Sequence, residues 1–288
     1  MYLQLPVSAG LEGLLQAASI QLANISEQPR DEAEWLLTEL LCIERSRLRF
    51  AEIELRPAQS ARYTEWLARR AAGEPFAYIC GTQPFRRLML QVSPDVLIPR
   101  ADTETLVAWA LSLLKLLPAA ADVLDACTGS GCVALALADE APLHRYHASD
   151  CSPAALAVAQ ANAQRLKLAV RFYQADALQL PTELPRFQLI TANPPYIAEG
   201  DPHLPALRHE PMLALVAGAD GLHLLRALIE QAPARLRTDG WLLLEHGYEQ
   251  AEAVRTLLAA QGFVDIETRR DEGGRERVSG GRWTAMHG

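Results

Sequence analysis

The chain is poor in the residues that build cross-links and metal cages. Its five cysteines, Cys42, Cys80, Cys127, Cys132 and Cys151, are odd in number and scattered, and none stands in a C-x-x-C pair. That pattern excludes a disulfide framework and a paired-cysteine zinc site, and it predicts free thiols in a reducing cytoplasm. The seven histidines are equally dispersed, and His203 and His209 read as solvated loop residues, so no metal site is expected. A concentrated basic segment is also missing. With a formal net charge of −8 and a pI near 5.4, the chain is a poor nonspecific binder of nucleic acid or anionic membrane. Met1 to Gly10 has neither the basic start nor the apolar core of a signal peptide. The most apolar stretch, Leu106 to Leu117, is interrupted by Ser112 and Lys115 and stopped by Pro118, too short for a bilayer span. Internal repeats and low-complexity segments are absent as well.

What is present is a core-forming chain of 288 residues, half of them hydrophobic, enough for one large domain or two ordinary ones. Residues 1–80 read as helical. Leu11, Leu14, Leu15, Ala18 and Leu22 recur at helical spacing, a second helix starts at Pro29, and a third runs from Pro57 to Gly73. Arg45, Arg47, Arg49, Arg69 and Arg70 in this part suit an acidic partner or, more plainly, solvated faces. Residues 81–98 read as a hairpin linker, with one strand through Phe85 and Leu88 to Val92, a turn at Ser93-Pro94-Asp95, and a second strand at Val96 to Ile98. A helix then opens near Pro99-Arg100, with Asp102 or Thr103 as its cap.

From Asp122 strands and helices alternate. Strands are predicted at Val123–Ala126, Tyr146–Ser149, Val170–Tyr173, Phe187–Ala192, Trp241–Glu245 and Val264–Thr268, with a loop over Asp271–Gly281 before a last strand near Arg282–Ala285. Such alternation implies an α/β fold with a mostly parallel, doubly covered sheet. Ligands in these sheets sit beyond the carboxyl ends of strands, and three such ends carry chemistry here. The first is Asp125-Ala126-Cys127-Thr128-Gly129-Ser130-Gly131, where glycines let a ligand approach a helix start. The second is Asp150, placed to accept bonds from a ribose diol; the third is Asp176 with Ala177, within reach of an adenine amino group. Gly129 to Ala134 also fits the loose dinucleotide pattern, with Asp150 about 20 residues on, so a nicotinamide cofactor competes with S-adenosylmethionine at this point. Carboxylates at three strand ends suit a sulfonium cation better than a diphosphate.

Asn193-Pro194-Pro195-Tyr196 tips the choice toward methyl transfer. Alone, it is a proline turn closing a strand. Beside a nucleoside site, it fixes an amide carbonyl, free backbone carbonyls and an aromatic ring where a planar NH2 group can be held. The whole pattern resembles the peptide chain release factor glutamine methyltransferases over nearly all its length. The shared motifs are Ile98-Pro99-Arg100 with Asp102-Thr103-Glu104, Asp125 to Gly131, Asn193 to Tyr196, Asp201 to Leu204 with Glu210-Pro211, and Glu245-His246-Gly247.

The resemblance implies a Rossmann-like class I methyltransferase sheet over residues 99–288, joined by the hairpin to a small helical substrate-docking domain. It implies methyl transfer from S-adenosylmethionine to the Gln of the Gly-Gly-Gln motif of class I release factors. Catalysis then falls to Asn193, Pro194 and Tyr196. Cofactor binding falls to Asp125, Cys127, Thr128, Gly129, Ser130, Gly131, Asp150, Asp176, Ala177 and Asn193. Substrate binding falls to the Asn-Pro-Pro-Tyr turn, including Pro195, with Arg100 and Glu210. A cytoplasmic monomer acting on protein rather than nucleic acid is expected. The chain departs from the family at Ala126-Cys127, where Leu-Gly is usual, and at Ala177, where an aromatic residue is frequent. An adenine or guanine amino-methyltransferase, a nicotinamide-dependent dehydrogenase and a noncatalytic scaffold remain the alternatives at this stage.

Overall fold

The structure, a computed structural model, describes residues 10–48 and 53–284. The chain divides into two compact units, Met1–Thr82 and Gln83–Gly288. Arg49 and Ala285 lie outside the described residues.

In the first unit, α1 (Gly10–Leu22), α2 (Pro29–Leu41) and α4 (Pro57–Ala71) are joined by the short α3 (Arg45–Leu48) and followed by α5 (Phe76–Cys80). Pro29 and Pro57 stand in the first turns of α2 and α4, where a missing N–H does no harm. The apolar stripes meet in one core of Leu14, Leu15, Ala18, Leu22, Leu36, Leu37, Trp66 and Leu67. Tyr63 is buried in it, and its hydroxyl donates to the Ala33 carbonyl at 2.8 Å, so its polar end is satisfied. Three of the arginines are occupied inside the unit: Arg45 by Asp31 and Glu34, Arg69 by Glu74, and Arg70 by Glu32.

A hairpin of β1 (Thr82–Phe85) and β2 (Leu88–Gln91) comes next, all but Thr82 in the second unit. The turn falls at Arg86, which takes a left-handed φ of 50°. The predicted second strand at Val96–Ile98 does not form. The Val96 N–H is held by Ser93 in a turn, and the Ile98 N–H goes to the Glu210 carboxylate instead of a sheet neighbour.

Then follow α6 (Glu104–Leu114), β3 (Asp122–Ala126), α7 (Cys132–Glu140), β4 (Arg145–Asp150), α8 (Pro153–Leu166), β5 (Val170–Gln174), β6 (Phe187–Ala192), α9 (His223–Arg235), β7 (Leu236–Glu245), α10 (Ala251–Gln261), β8 (Phe263–Arg270) and β9 (Glu276–Trp283). Seven strands form one sheet in the order β5-β4-β3-β6-β7-β9-β8; only β9 pairs antiparallel, with β7 and β8. One core contains Leu106, Trp109, Val123, Leu135 and Leu243, and the other Leu124, Ile190, Leu228, Leu242 and Val254. Neighbouring residues of a strand thus enter different cores, as a doubly covered sheet requires. This is the class I methyltransferase fold.

The segment Asp271–Gly281, read as a loop for its glycines and charges, is strand from Glu276 onward. Its glycines serve packing. A Cβ on Gly280 would lie 2.5 Å from Leu243 Cδ2 and 2.6 Å from the Leu242 carbonyl, so only a bare backbone fits against β7.

Candidate active site

The order of the sheet reverses between β3 and β6. β4 lies on one side of β3 and β6 on the other, so the loops leaving β3 and β6 separate and open a crevice between them. Asp125 pairs with Thr191 and Ala126 with Ala192, which sets the Cys127 loop beside Asn193. The cavity there measures about 270 Å³.

Its floor is the loop after β3. Asp125 is buried, and it accepts the Thr128 hydroxyl at 2.6 Å and the Thr191 hydroxyl at 3.0 Å. Burial pushes its carboxyl up to about 7, with Thr128, Thr191 and the Ala134 N–H pulling the other way. Both oxygens are therefore engaged in holding the loop. Cys127 takes φ 57°, the left-handed turn that glycine would make more easily, and burial drives its thiol well above the ordinary range. Gly131, at φ 84°, lets α7 approach α8: a Cβ would meet Leu135 Cδ1 at 3.0 Å and Ala159 Cβ at 3.3 Å.

Asp150, at the end of β4, accepts the Gly129 N–H and the Ser152 N–H, both at 2.9 Å. A carboxylate has about four acceptor positions, so two remain for a ligand. Asp176 and Ala177 follow β5, and both line the cavity with Cys127, Thr128, Gly129 and Ser130. The Ser130 hydroxyl is buried without a protein partner. From α8, buried Asn162 accepts the Gln91 N–H at 2.7 Å and donates to the Gln91 and Ser130 carbonyls at 2.9 and 3.0 Å. One amide thus ties the hairpin to the glycine loop, a link across 71 residues that no local pattern announces.

The turn after β6 forms the far wall. Asn193 and Pro195 border the cavity, while Pro194 is buried and, with Tyr196, lies outside that border. The Asn193 amide nitrogen donates to the Thr103 hydroxyl at 3.0 Å. The Tyr196 carbonyl accepts the Gln250 side-chain N–H at 3.0 Å, and burial raises the Tyr196 phenol. The Ile197 N–H bonds to the Leu215 carbonyl, and the Ala217 N–H returns to Ile197, both at 2.9 Å, which closes the intervening loop back on the turn.

Arg100 and Glu210, predicted as substrate contacts, pair with each other. Glu210 is 6% exposed and also takes the Ile98 N–H at 3.1 Å, so its oxygens fasten the loop; Arg100 lines the cavity. Neither Asp102 nor Thr103 caps α6 with its side chain. Their polar atoms are taken elsewhere: Thr103 by Asn193, and Asp102 by Arg277 at 3.1 Å. Buried Arg277 also donates to Asp271 at 3.1 Å and to the His246 carbonyl at 3.4 Å. Next to this group Glu245 is 1% exposed, and burial pushes its carboxyl up to about 7 against the pull of the Thr103 hydroxyl, the Arg277 guanidinium and the Tyr196 hydroxyl. Sequence reading missed the roles of Thr103, Glu245 and Arg277, although Asp102-Thr103-Glu104 and Glu245-His246-Gly247 stood out as motifs.

Residues 13–81 match the family described as the PrmC N-terminal domain, and residues 123–210 match a methyltransferase domain. The release factor glutamine methyltransferase of Pseudomonas aeruginosa is 46% identical over 261 residues, covering 90% of this chain and 94% of that protein. That of Coxiella burnetii is 44% identical over 266 residues, again covering 90% and 94%. Among solved structures, a 16S rRNA methyltransferase from T. thermophilus shares the fold at TM-score 0.52 and 19% identity, covering 70% of this chain and 49% of that one. With this much of its length aligned at such identity, the chain belongs to the release factor glutamine methyltransferase family.

Proposed function

We propose that this chain transfers a methyl group from S-adenosylmethionine to the side-chain amide nitrogen of the Gln in the Gly-Gly-Gln motif of class I release factors, working in the cytoplasm. The observation that carries the reading is Asn193: it borders the cavity at the switch point, and its nitrogen is engaged by Thr103. Its oxygen is thereby left as an acceptor for a substrate NH2.

The cavity residues fit the methyl donor. Asp150 keeps acceptor positions for a ribose diol after its two backbone bonds. The Ser130 hydroxyl is an orphaned buried polar atom, and Asp150 and Asp176 give the walls the negative character that a sulfonium favours. Cys127, Thr128, Gly129, Gly131 and Ala177 would complete the hold, with Asp125 fixing the loop from below. When bound, S-adenosylmethionine supplies an electrophilic methyl group on a positively charged sulfur.

The residues of the chain then do the positioning. An amide nitrogen is a weak nucleophile because its lone pair is delocalised into the carbonyl. The Asn193 side-chain oxygen and the Pro194 carbonyl accept the two amide hydrogens of the substrate, and Tyr196 flanks the amide plane. Holding both hydrogens aims the lone pair and stabilises charge that develops on nitrogen, which is orientation with electrostatic help. The helical unit Met1–Thr82 would grip the body of the release factor. Among the described residues no helix is long and apolar enough to cross a membrane.

The test is to supply labelled S-adenosylmethionine with release factor, RNA or DNA in parallel and to locate the label by mass spectrometry. Label on the Gly-Gly-Gln glutamine is the expected result; label on a base and none on protein refutes the reading. Asn193→Ala should lower kcat by roughly 100-fold or more, with cofactor Kd within about threefold, because the wall keeps its other contacts.

A further inference from the structure

We propose that Glu245 is a positioning residue for the methyl-transfer turn: its carboxylate takes the hydrogen of the Thr103 hydroxyl, which leaves the Thr103 oxygen able only to accept from Asn193 and so turns the Asn193 oxygen toward the substrate. The proposal rests on the reading of this site as a glutamine methyltransferase and deepens it.

The argument starts from the sheet. β6 and β7 run parallel with Ala192 paired to Leu244, so Asn193 and Glu245 leave the two strands side by side. Glu245 is a carboxylic acid in a nearly closed place, and its Oε2 is buried without a hydrogen-bond partner. An unpaired oxygen there is costly unless it receives a hydrogen. The neighbouring Arg277 does not supply it, since its hydrogen bonds go to Asp271 and the His246 carbonyl and it is ion-paired with Asp102. The hydroxyls that the turn brings to this cluster are those of Thr103, bonded at 3.0 Å to the Asn193 that lies beside Glu245 across the sheet, and of Tyr196, and both favour the ionised carboxylate. One of these touches Asn193 and the other belongs to the same turn.

The direction of the Thr103 hydroxyl decides the orientation of the Asn193 amide. Thr103 borders the cavity but is only 1% exposed, so protein acceptors have first claim on its single hydrogen. With that hydrogen on Glu245, the oxygen presents only lone pairs to Asn193, and the amide must offer its NH2 side, as the 3.0 Å contact shows. Its carbonyl oxygen then stands on the opposite side. Without the carboxylate, Thr103 is free to donate to Asn193 instead. The amide would rotate by half a turn and present NH2 to the substrate NH2, a donor facing a donor. Glu245 thus holds the acceptor in place through one hydroxyl, without touching the reacting atoms.

The experiment uses the full chain with release factor and S-adenosylmethionine, and compares Glu245→Met, Glu245→Gln, Thr103→Val and Thr103→Ser with the parent. Measured are kcat, KM for release factor, cofactor Kd and Tm. Glu245→Met and Thr103→Val should each lower kcat by ~10-fold or more, the scale expected of a misplaced contact group. Cofactor Kd should remain within about twofold, and the double variant should be no slower than the slower single one, because both interrupt one path. Glu245→Gln keeps an acceptor oxygen and Thr103→Ser keeps the hydroxyl, so each should recover most of the lost kcat. Parent-like kcat in Glu245→Met, or losses that multiply in the double variant, would overturn the relay. If Glu245→Met does not fold, the uncharged pair at 103 decides, and equal kcat for Thr103→Val and Thr103→Ser overturns the relay. A parent enzyme that leaves release factor unmethylated refutes the functional reading itself, and the relay falls with it.

Discussion

Gly221 lies far along the chain from the Asn-Pro-Pro-Tyr turn, yet an added methyl group there should disable it. A Cβ on Gly221 would sit 2.2 Å from the Tyr196 carbonyl oxygen, 3.0 Å from its carbon and 2.8 Å from the Gln250 side-chain nitrogen. Ordinary van der Waals contact begins near 3.4 Å, so the carbonyl must recede by about 1 Å, and displacement of that size costs ~100-fold in rate. Stability falls as well. Gly221 has φ 71°, a left-handed conformation that costs an alanine about 1–2 kcal/mol. Loss of the Gln250–Tyr196 hydrogen bond adds about 1 kcal/mol, and the stiffer unfolded chain returns about 0.4–1 kcal/mol. The net is ~2 kcal/mol, or a fall in Tm of roughly 4–8 °C for a unit of this size. Neither Gly221 nor Tyr196 borders the cavity, so cofactor Kd should hold within about threefold. The assay is release-factor methylation under saturating cofactor, with calorimetric titration of the cofactor and thermal unfolding alongside. Gly200→Ala is the control, because Gly200 has a similar φ of 79° but no atom within 4 Å of its Cβ. It should lose some stability and keep its turnover. A Gly221→Ala enzyme with kcat within threefold of the parent would show that the turn tolerates displacement, and the positioning argument would fail.

Two further outcomes follow from the carboxylates. Asp150→Ala should weaken cofactor binding by roughly 100-fold, the worth of one or two bonds to a charged acceptor, and should also lower the Tm of the ligand-free chain, since the Gly129 and Ser152 N–H groups lose their partner; an unchanged Kd by titration refutes the ribose assignment. Asp125 should make stability depend on pH. Its carboxyl ionises at 3.8 in the unfolded reference and at about 7 in the fold, so between those values the folded chain keeps a proton that the unfolded chain has released. The stability it contributes is fully present below 3.8 and is lost as pH rises through about 7. Asp125→Asn cannot ionise, so its Tm relative to the parent should rise between pH 5 and pH 8. A constant difference across that range would contradict the burial of an acid at this position.

Much of the fold was legible because it rests on short-range patterns. The helices of the first unit, the strands β3 to β6 and the alternation around them come from apolar spacing and from prolines placed where helices start. The mistakes have physical causes. Gly280 and Gly281 look like a loop, but they are bare because β7 and β8 pack against them. Val96 to Ile98 looks like a strand, but its N–H groups are met by Ser93 and by a carboxylate more than a hundred residues away. Thr103 and Asp102 have the chemistry of helix caps, and tertiary partners claim that chemistry.

By itself the sequence determined the reaction class. Asn193 between a buried strand and two prolines, with acids at three earlier strand ends and the motifs around them, is enough to indicate methyl transfer. Those features are local: a proline restricts its neighbour whatever surrounds it, and a glycine turn opens a helix N-terminus wherever it occurs. The tertiary structure alone decided which way the Asn193 amide faces. That depends on a hydroxyl from residue 103 and a carboxylate from residue 245, and hydrogen-bond direction is a property of groups brought together in space, which spacing along a chain does not encode.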